Sequence, residues 1–495
     1  MGCGKSSADD SIVREKSGVG FSKRNIRKEY QFLKLLGEGA FGEVRLAMHV
    51  NSSSPEYEAK RAIKLIKRDN VENSDKQEEM LLNEYNILRQ IDNQNIIKIF
   101  ELWKDEVFYY IVTEYLEGGE LYKNISERDN FTEKDCAGLI KQVLLALNYC
   151  HKEGIAHRDL KPDNIMFESN SKDSICKLVD FGFASFCKNG KKMDDMLGTP
   201  LFIAPEIISN KKYTSKVDIW SLGVITYFII STNPPFKGRT KRELFDSIKS
   251  GDFSFKSAPI FRRTSESLQS FISECLVVNP EKRATAEELL KHSWMTDVSS
   301  EEVSEDAIKS NLATLKEYSH HNKLQQGIVH FLAYKCGQRE EIDNLSKIFR
   351  SADKNGDGKL DKSEISEYFQ KYMGSADDAE NEHIYSCLDG DKSGYIDYSE
   401  FLSATIDKEN LLRKQRLINI FNEIDSDGSG DINLKELRQA FKTKASKKTE
   451  EEWEKIINEI DKDGNDCINF KEFLKAMDQV VHPKNFIPKN DIEED

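Results

Sequence analysis

Apolar and polar positions change their spacing several times along this chain. Residues 1–29 are polar, rich in Ser, Gly and Lys, and predict a flexible terminal segment. From Tyr30 to about Tyr115, short β-branched and aromatic runs alternate with Gly turns, which predicts a small, largely β lobe. From Leu121 to Trp294 the apolar residues recur at helical spacing, with starts such as Thr285-Ala-Glu-Glu ahead of Leu289. Residues 30–294 therefore read as one α+β bilobal unit. Residues 295–340 form a junction in which Leu324, Ile328, Phe331, Leu332 and Lys335 make an apolar stripe at helical spacing. Residues 341–480 read as an all-α module of four helix–loop–helix units, and 481–495 as an acidic tail with two prolines.

The loops of that module give it a chemistry. Twelve-residue acidic segments begin at Asp353, Asp389, Asp425 and Asp461, each 36 residues after the last. Each fits the EF-hand calcium loop, with oxygen ligands at alternate positions and Glu at the twelfth. Loop one offers Asp353, Asn355, Asp357, Lys359 through its carbonyl, Asp361 and Glu364. Loop two offers Asp389, Asp391, Ser393, Tyr395, Asp397 and Glu400. Loop three offers Asp425, Asp427, Ser429, Asp431, Asn433 and Glu436, and loop four Asp461, Asp463, Asn465, Cys467, Asn469 and Glu472. Hard oxygen ligands suit Ca2+ over transition metals. Gly358, Gly394 and Gly430 stand at the sharp turn, where loop four has Asp466, so loop four is the site open to question. Ligand charge count favours tighter binding by loops one and two. The junction stripe fits a linker helix or an internal target for opened calcium lobes, and its place between two larger units favours the target.

Charge supports this division. The net charge is −14, and residues from 341 onward carry 23 basic against 36 acidic groups, so nearly all the acidity lies in the C-terminal module. That argues against nucleic acid as a ligand and for cations or a basic partner segment. Nine cysteines without metal-ligand spacing predict a reduced compartment. The longest apolar stretch, Gly223 to Ile230, is too short to span a membrane. Met1-Gly2-Cys3-Gly4-Lys5-Ser6 fits N-myristoylation at Gly2, and Cys3 could take a palmitoyl chain as the second anchor that one myristoyl group needs. The expectation is a monomer at the cytoplasmic face of membranes with a cytosolic pool.

The bilobal unit carries a second chemistry. Leu36-Gly37-Glu38-Gly39-Ala40-Phe41-Gly42-Glu43-Val44 is a Gly-rich string that continues as strand rather than helix, which suits a flap over ATP phosphates. Ala62-Ile63-Lys64 follows at strand distance, with Lys64 for the phosphates and Glu84 as its ion-pair partner. In His157-Arg158-Asp159-Leu160-Lys161-Pro162-Asp163-Asn164, Asp159 would accept the substrate hydroxyl proton, Lys161 offset phosphoryl charge and Asn164 hold a metal ion. Asp180-Phe181-Gly182 would place Asp180 on Mg2+, and Ala204-Pro205-Glu206 closes the activation segment. Between Gly182 and Ala204 the hydroxyl residues are Ser185 and Thr199, while Asp194 and Asp195 stand mid-segment, so a fixed carboxylate is expected to replace an activating phosphate on Arg158.

With Gly-rich loop, Lys64, Asp159, Asp180 and four calcium loops on one polypeptide, the chain resembles the calcium-dependent protein kinases of plants and apicomplexan protists. The resemblance covers nearly the whole chain. It implies a calcium-activated serine/threonine kinase using ATP and Mg2+, autoinhibited through its junction and released by its own EF-hands. By resemblance to the wider kinase superfamily, Lys161 and the Gly198-Thr199-Pro200 turn mark serine/threonine specificity. Glu114-Tyr115 stand at the hinge after Thr113, and Glu120 where related kinases bind an arginine of the substrate. Glu120 also fits a ribose contact or a solvated position. Asp163, where many kinases carry Glu, and Asp466 depart from the pattern. The competing readings are a calcium-binding scaffold with an inactive kinase and a kinase that needs external calmodulin.

Overall fold

The computed structural model describes residues 25–481 except 40–41, 51–57, 69–73, 129–130, 173, 188–192, 194, 196, 297–303, 318–327, 330–338, 375–377, 391, 407, 409–411, 413, 426–428 and 441–449. Gly2, Cys3, Ala40, Phe41, Asp194, Leu324, Phe331, Leu332, Lys335, Asp391, Asp427 and the tail beyond Val481 lie outside the described residues.

Five antiparallel strands form the first lobe: β1 (Tyr30–Gly39), β2 (Gly42–His49), β3 (Lys60–Lys67), β4 (Ile99–Lys104) and β5 (Phe108–Glu114), in the order β1-β2-β3-β5-β4. Alternation along β3 decides which side each residue serves. Ile63 and Leu65 enter a small core with Tyr30, Trp103, Tyr110 and Val112, and Lys64 between them faces the other way. The helix Ser74–Leu88 lies on that other side and contributes Leu81, Tyr85, Ile87 and Leu88 to the main core.

The second lobe is helical around Glu133–Lys152 and Lys216–Ser231. The first of these starts with a capping box between Thr132 and Asp135, which satisfies two backbone donors reciprocally. The second contains Gly223 to Ile230, largely buried in the lobe, with Trp220 stacked on Phe236 at 5.3 Å. Among the described residues no helix is long and apolar enough to cross a membrane.

The C-terminal module has its own core, and the junction joins it. The helix Glu305–Glu317 buries Ile308, Leu312 and Leu315, spaced four and three residues apart, against the module's helices Lys362–Met373 and Tyr398–Thr405. Ile328 of the expected stripe is also fully buried there. The loops pair through two-residue antiparallel strands, Lys359–Leu360 with Ile396–Asp397 and Asp431–Ile432 with Ile468–Asn469.

Candidate active site and calcium loops

The sequence-predicted kinase residues converge on the cleft between the lobes. Lys64 Nζ lies 3.2 Å from Asp180 Oδ1 and 3.7 Å from Glu84 Oε2. Burial would depress the Lys64 ammonium, but Glu84 and Asp180 raise it, so it stays a cation. Burial would likewise raise the Asp180 carboxyl, but Lys64 holds it below its usual value. Asp180 has φ 61°, and Phe181 is fully buried with its ring edge-on to His157 at 4.9 Å. The backbone turn at Asp180 thus aims the carboxylate into the cleft while its neighbour anchors the turn in the core.

Asp159 is held on three sides. Thr199 Oγ1 donates to its Oδ1 at 2.7 Å, Lys161 Nζ to its Oδ2 at 2.9 Å, and Asn164 Nδ2 to its backbone carbonyl at 2.8 Å. Below this turn sits Asp218, which sequence reasoning missed. Its carboxylate accepts from the backbone N–H groups of His157 at 3.0 Å and Arg158 at 2.9 Å and pairs with His151 at 2.9 Å. Burial would raise that carboxyl, but these partners hold it down. Glu206 and Arg283 make a buried bidentate pair at 2.7 and 2.9 Å under the end of the activation segment.

Above the cleft, β1 and β2 pair through Gly37 with Val44, Glu38 with Glu43 and Gly39 with Gly42. Gly42 has φ 141°, and a Cβ there would meet the Leu65 carbonyl at 1.9 Å, so a side chain cannot be accommodated. Leu36 is partly exposed at this edge, and Ala62 pairs with Thr113. The Glu114 side chain is engaged by the Lys98 N–H at 2.7 Å and by Lys177 at 3.1 Å, so at the expected hinge its backbone rather than its carboxylate is left for a nucleotide. Glu120 is exposed at the start of helix Leu121–Ser126, and Asp163 is exposed beside the catalytic loop.

The four candidate calcium loops are closed by the same two hydrogen bonds. The first ligand of each accepts an N–H from the sixth position: Asp353 from Gly358 at 2.8 Å, Asp389 from Gly394 at 3.0 Å, Asp425 from Gly430 at 2.8 Å and Asp461 from Asp466 at 2.8 Å. Asp466 has φ 59°, so it adopts the turn that glycine makes elsewhere and closes loop four in the same way. The twelfth residue reaches back to the N–H of the ninth in every loop, Glu364 to Asp361, Glu400 to Asp397, Glu436 to Asn433 and Glu472 to Asn469. Asp461, Asp463 and Glu472 bring carboxylate oxygens within 4.8 Å of one another. Burial, with Asp357 and Glu364 nearby, pushes the Asp353 carboxyl up to about 7, as expected for a charge cluster that a cation would relieve. These donor sets fit Ca2+.

Comparison with known proteins agrees with this geometry. The protein kinase domain family matches residues 30–295, and the EF-hand domain pair matches 342–406 and 414–478. The chain is 35% identical to calcium-dependent protein kinase 4 of Plasmodium berghei over 433 residues, 84% of this chain and 80% of the relative. It is 34% identical to calcium-dependent protein kinase 4 of Plasmodium falciparum over 441 residues, 85% and 82% of the two chains. A rice relative, calcium-dependent protein kinase 19, is 31% identical over 399 residues, 80% and 73% of the two.

Proposed function

The chain belongs to the calcium-dependent protein kinases and is a calcium-activated protein kinase, and from that premise we propose how its own residues divide the work. The acceptor is a serine or threonine hydroxyl. Asp159 takes its proton as the oxygen attacks the γ-phosphorus of ATP; the new O–P bond forms as the bond to the bridging oxygen breaks, and ADP leaves with that electron pair. Lys161 stabilises charge on the moving group, and Lys64, held by Glu84, binds the remaining phosphates. Asn164 and Asp180 would hold Mg2+, which neutralises phosphate charge when bound. The observation that carries this reading is the Lys64–Glu84 ion pair, which an active kinase requires, formed beside the Asp180 carboxylate.

Regulation follows from the fused module. At low calcium the junction blocks the kinase, and Ca2+ at the four loops rearranges the module and removes the block. Moving the enzyme from about 1% to 99% active takes roughly 5.5 kcal/mol of differential binding, which several ions can share. The apolar residues Ile308, Leu312 and Leu315 in the first EF-hand pair supply a physical handle for that coupling. Glu120 favours substrates with a basic residue near the phosphosite, and acylation at Gly2 and Cys3 takes the monomeric enzyme to the cytoplasmic face of membranes, with a cytosolic pool. Phosphorylation of a basic Ser/Thr peptide by the intact protein and by Asp180→Ala tests the catalytic assignment. Calcium-dependent transfer that disappears in the variant is expected, and equal transfer by both would overturn it.

A further inference from the structure

Calcium loop one is wedged against the kinase lobe. Gly356, its fourth position, is buried with φ 65°, and a Cβ there would lie 2.7 Å from Leu145 and 2.9 Å from Leu290. The same position in loop two is Lys392, exposed at φ 58°, and in loop four it is Gly464, at φ 75° with open space around it. The loop backbone accepts a side chain at this place in loop two, whereas in loop one a side chain would have to displace the ends of Leu145 and Leu290. The Gly356 carbonyl accepts a hydrogen bond from Asn148 Nδ2 at 2.8 Å, and Asn148 is 2% exposed. Lys359, whose carbonyl is the ligand atom, sends its ammonium to Glu153 at 2.8 Å.

We propose that the kinase lobe forms an outer layer of calcium site one, with Asn148 as a positioning residue that acts through Gly356. Gly356 stands just before the ligand Asp357, so holding the Gly356 carbonyl holds the plane of the peptide unit that carries Asp357 into the loop. A buried carbonyl with one donor keeps that plane only while the lobes are docked. Docking and calcium capture at loop one therefore strengthen each other to the same extent, as linkage demands. Lys152 opposes this by reaching the Asp357 carboxylate at 3.4 Å, but its side chain is 38% exposed, so that attraction is screened and the buried Asn148 contact decides the sign. The ligand set is unchanged; its affinity is set partly outside the module. This rests on the reading that loop one binds Ca2+.

Calcium titration calorimetry on the full chain tests it, beside hydrogen exchange of residues 144–153 with and without Ca2+. Glu364→Gln first identifies which step of the isotherm belongs to loop one; if no step is lost, the calcium assignment of that loop fails rather than the coupling. Asn148→Ala is expected to weaken that step about two- to tenfold, the range of one hydrogen bond, and to lessen calcium-induced protection of 144–153. Gly356→Ala adds only a Cβ against Leu145 and Leu290, with no charge, and should weaken the same step from the opposite side of the contact, which keeps the test decisive if Asn148→Ala folds poorly. An isotherm and exchange pattern unchanged in folded Asn148→Ala, or in Gly356→Ala where Asn148→Ala does not fold, would overturn the proposal.

Discussion

The Arg158 guanidinium lies 2.9 Å from the Asp195 carboxylate, in the stretch where many kinases place an activating phosphate. Arg158 is otherwise buried and also donates to the Phe183 carbonyl at 2.5 Å and the Tyr213 hydroxyl at 3.3 Å. Phosphate-free enzyme, verified by mass spectrometry, is expected to be fully active at saturating calcium. Because the Asp195 side chain is 62% exposed, the pair contributes at most about 1 kcal/mol. Asp195→Ala should therefore lower kcat by no more than about fivefold. Activity that requires phosphate on Ser185 or Thr199 would contradict this account.

Lys64 relies on two carboxylates, so removing one should show in the ATP parameters. Glu84→Gln keeps the shape but not the charge of a group 6% exposed. A loss of about 10²-fold in kcat/KM for ATP is expected, the scale of removing one preorganised electrostatic partner. Steady-state kinetics with ATP varied measures it, and a change below threefold would show that Glu84 does not position Lys64.

Loop four carries strain that can be relieved. Asp466 holds φ 59°, a region that costs a non-glycine residue about 1 kcal/mol, less for Asp than for most. Asp466→Gly should tighten calcium at that loop by up to about fivefold in a site-resolved titration. Weaker binding would mean that the Asp466 carboxylate itself aids the site.

The junction helix is anchored by Leu312, fully buried between two EF-hand helices. Leu312→Ala should cost about 2–5 kcal/mol in chemical denaturation of the module's transition. An unchanged midpoint would mean that this helix does not rest in the groove.

Much of the catalytic apparatus was legible because phosphate chemistry fixes residue types at fixed spacing. Lys64, Asp159, Asn164 and Asp180 could be read from the order and spacing of their motifs, and the calcium loops from their repeat. Asp218 was not legible, because an acid within an apolar helix shows no partner until the chain folds back and places it under His157 and Arg158. Arg283 was hidden for the same reason, since its partner Glu206 lies 77 residues away. The helix Glu305–Glu317 is faint in the sequence because its three apolar anchors are sparse among charged residues, whereas the stripe after Leu324 is denser. Doubt over Asp466 came from propensity alone. The loop's own hydrogen bond offsets that propensity, with the N–H of Asp466 doing what the glycine N–H groups do elsewhere.

The central claim is that calcium captured by this chain's own loops switches its own active site. Transfer of phosphate from ATP to a basic Ser/Thr peptide should be followed with purified protein across free calcium concentrations, with no calmodulin added. Steep activation that EGTA reverses is the predicted result. Turnover that stays the same with and without EGTA would contradict it.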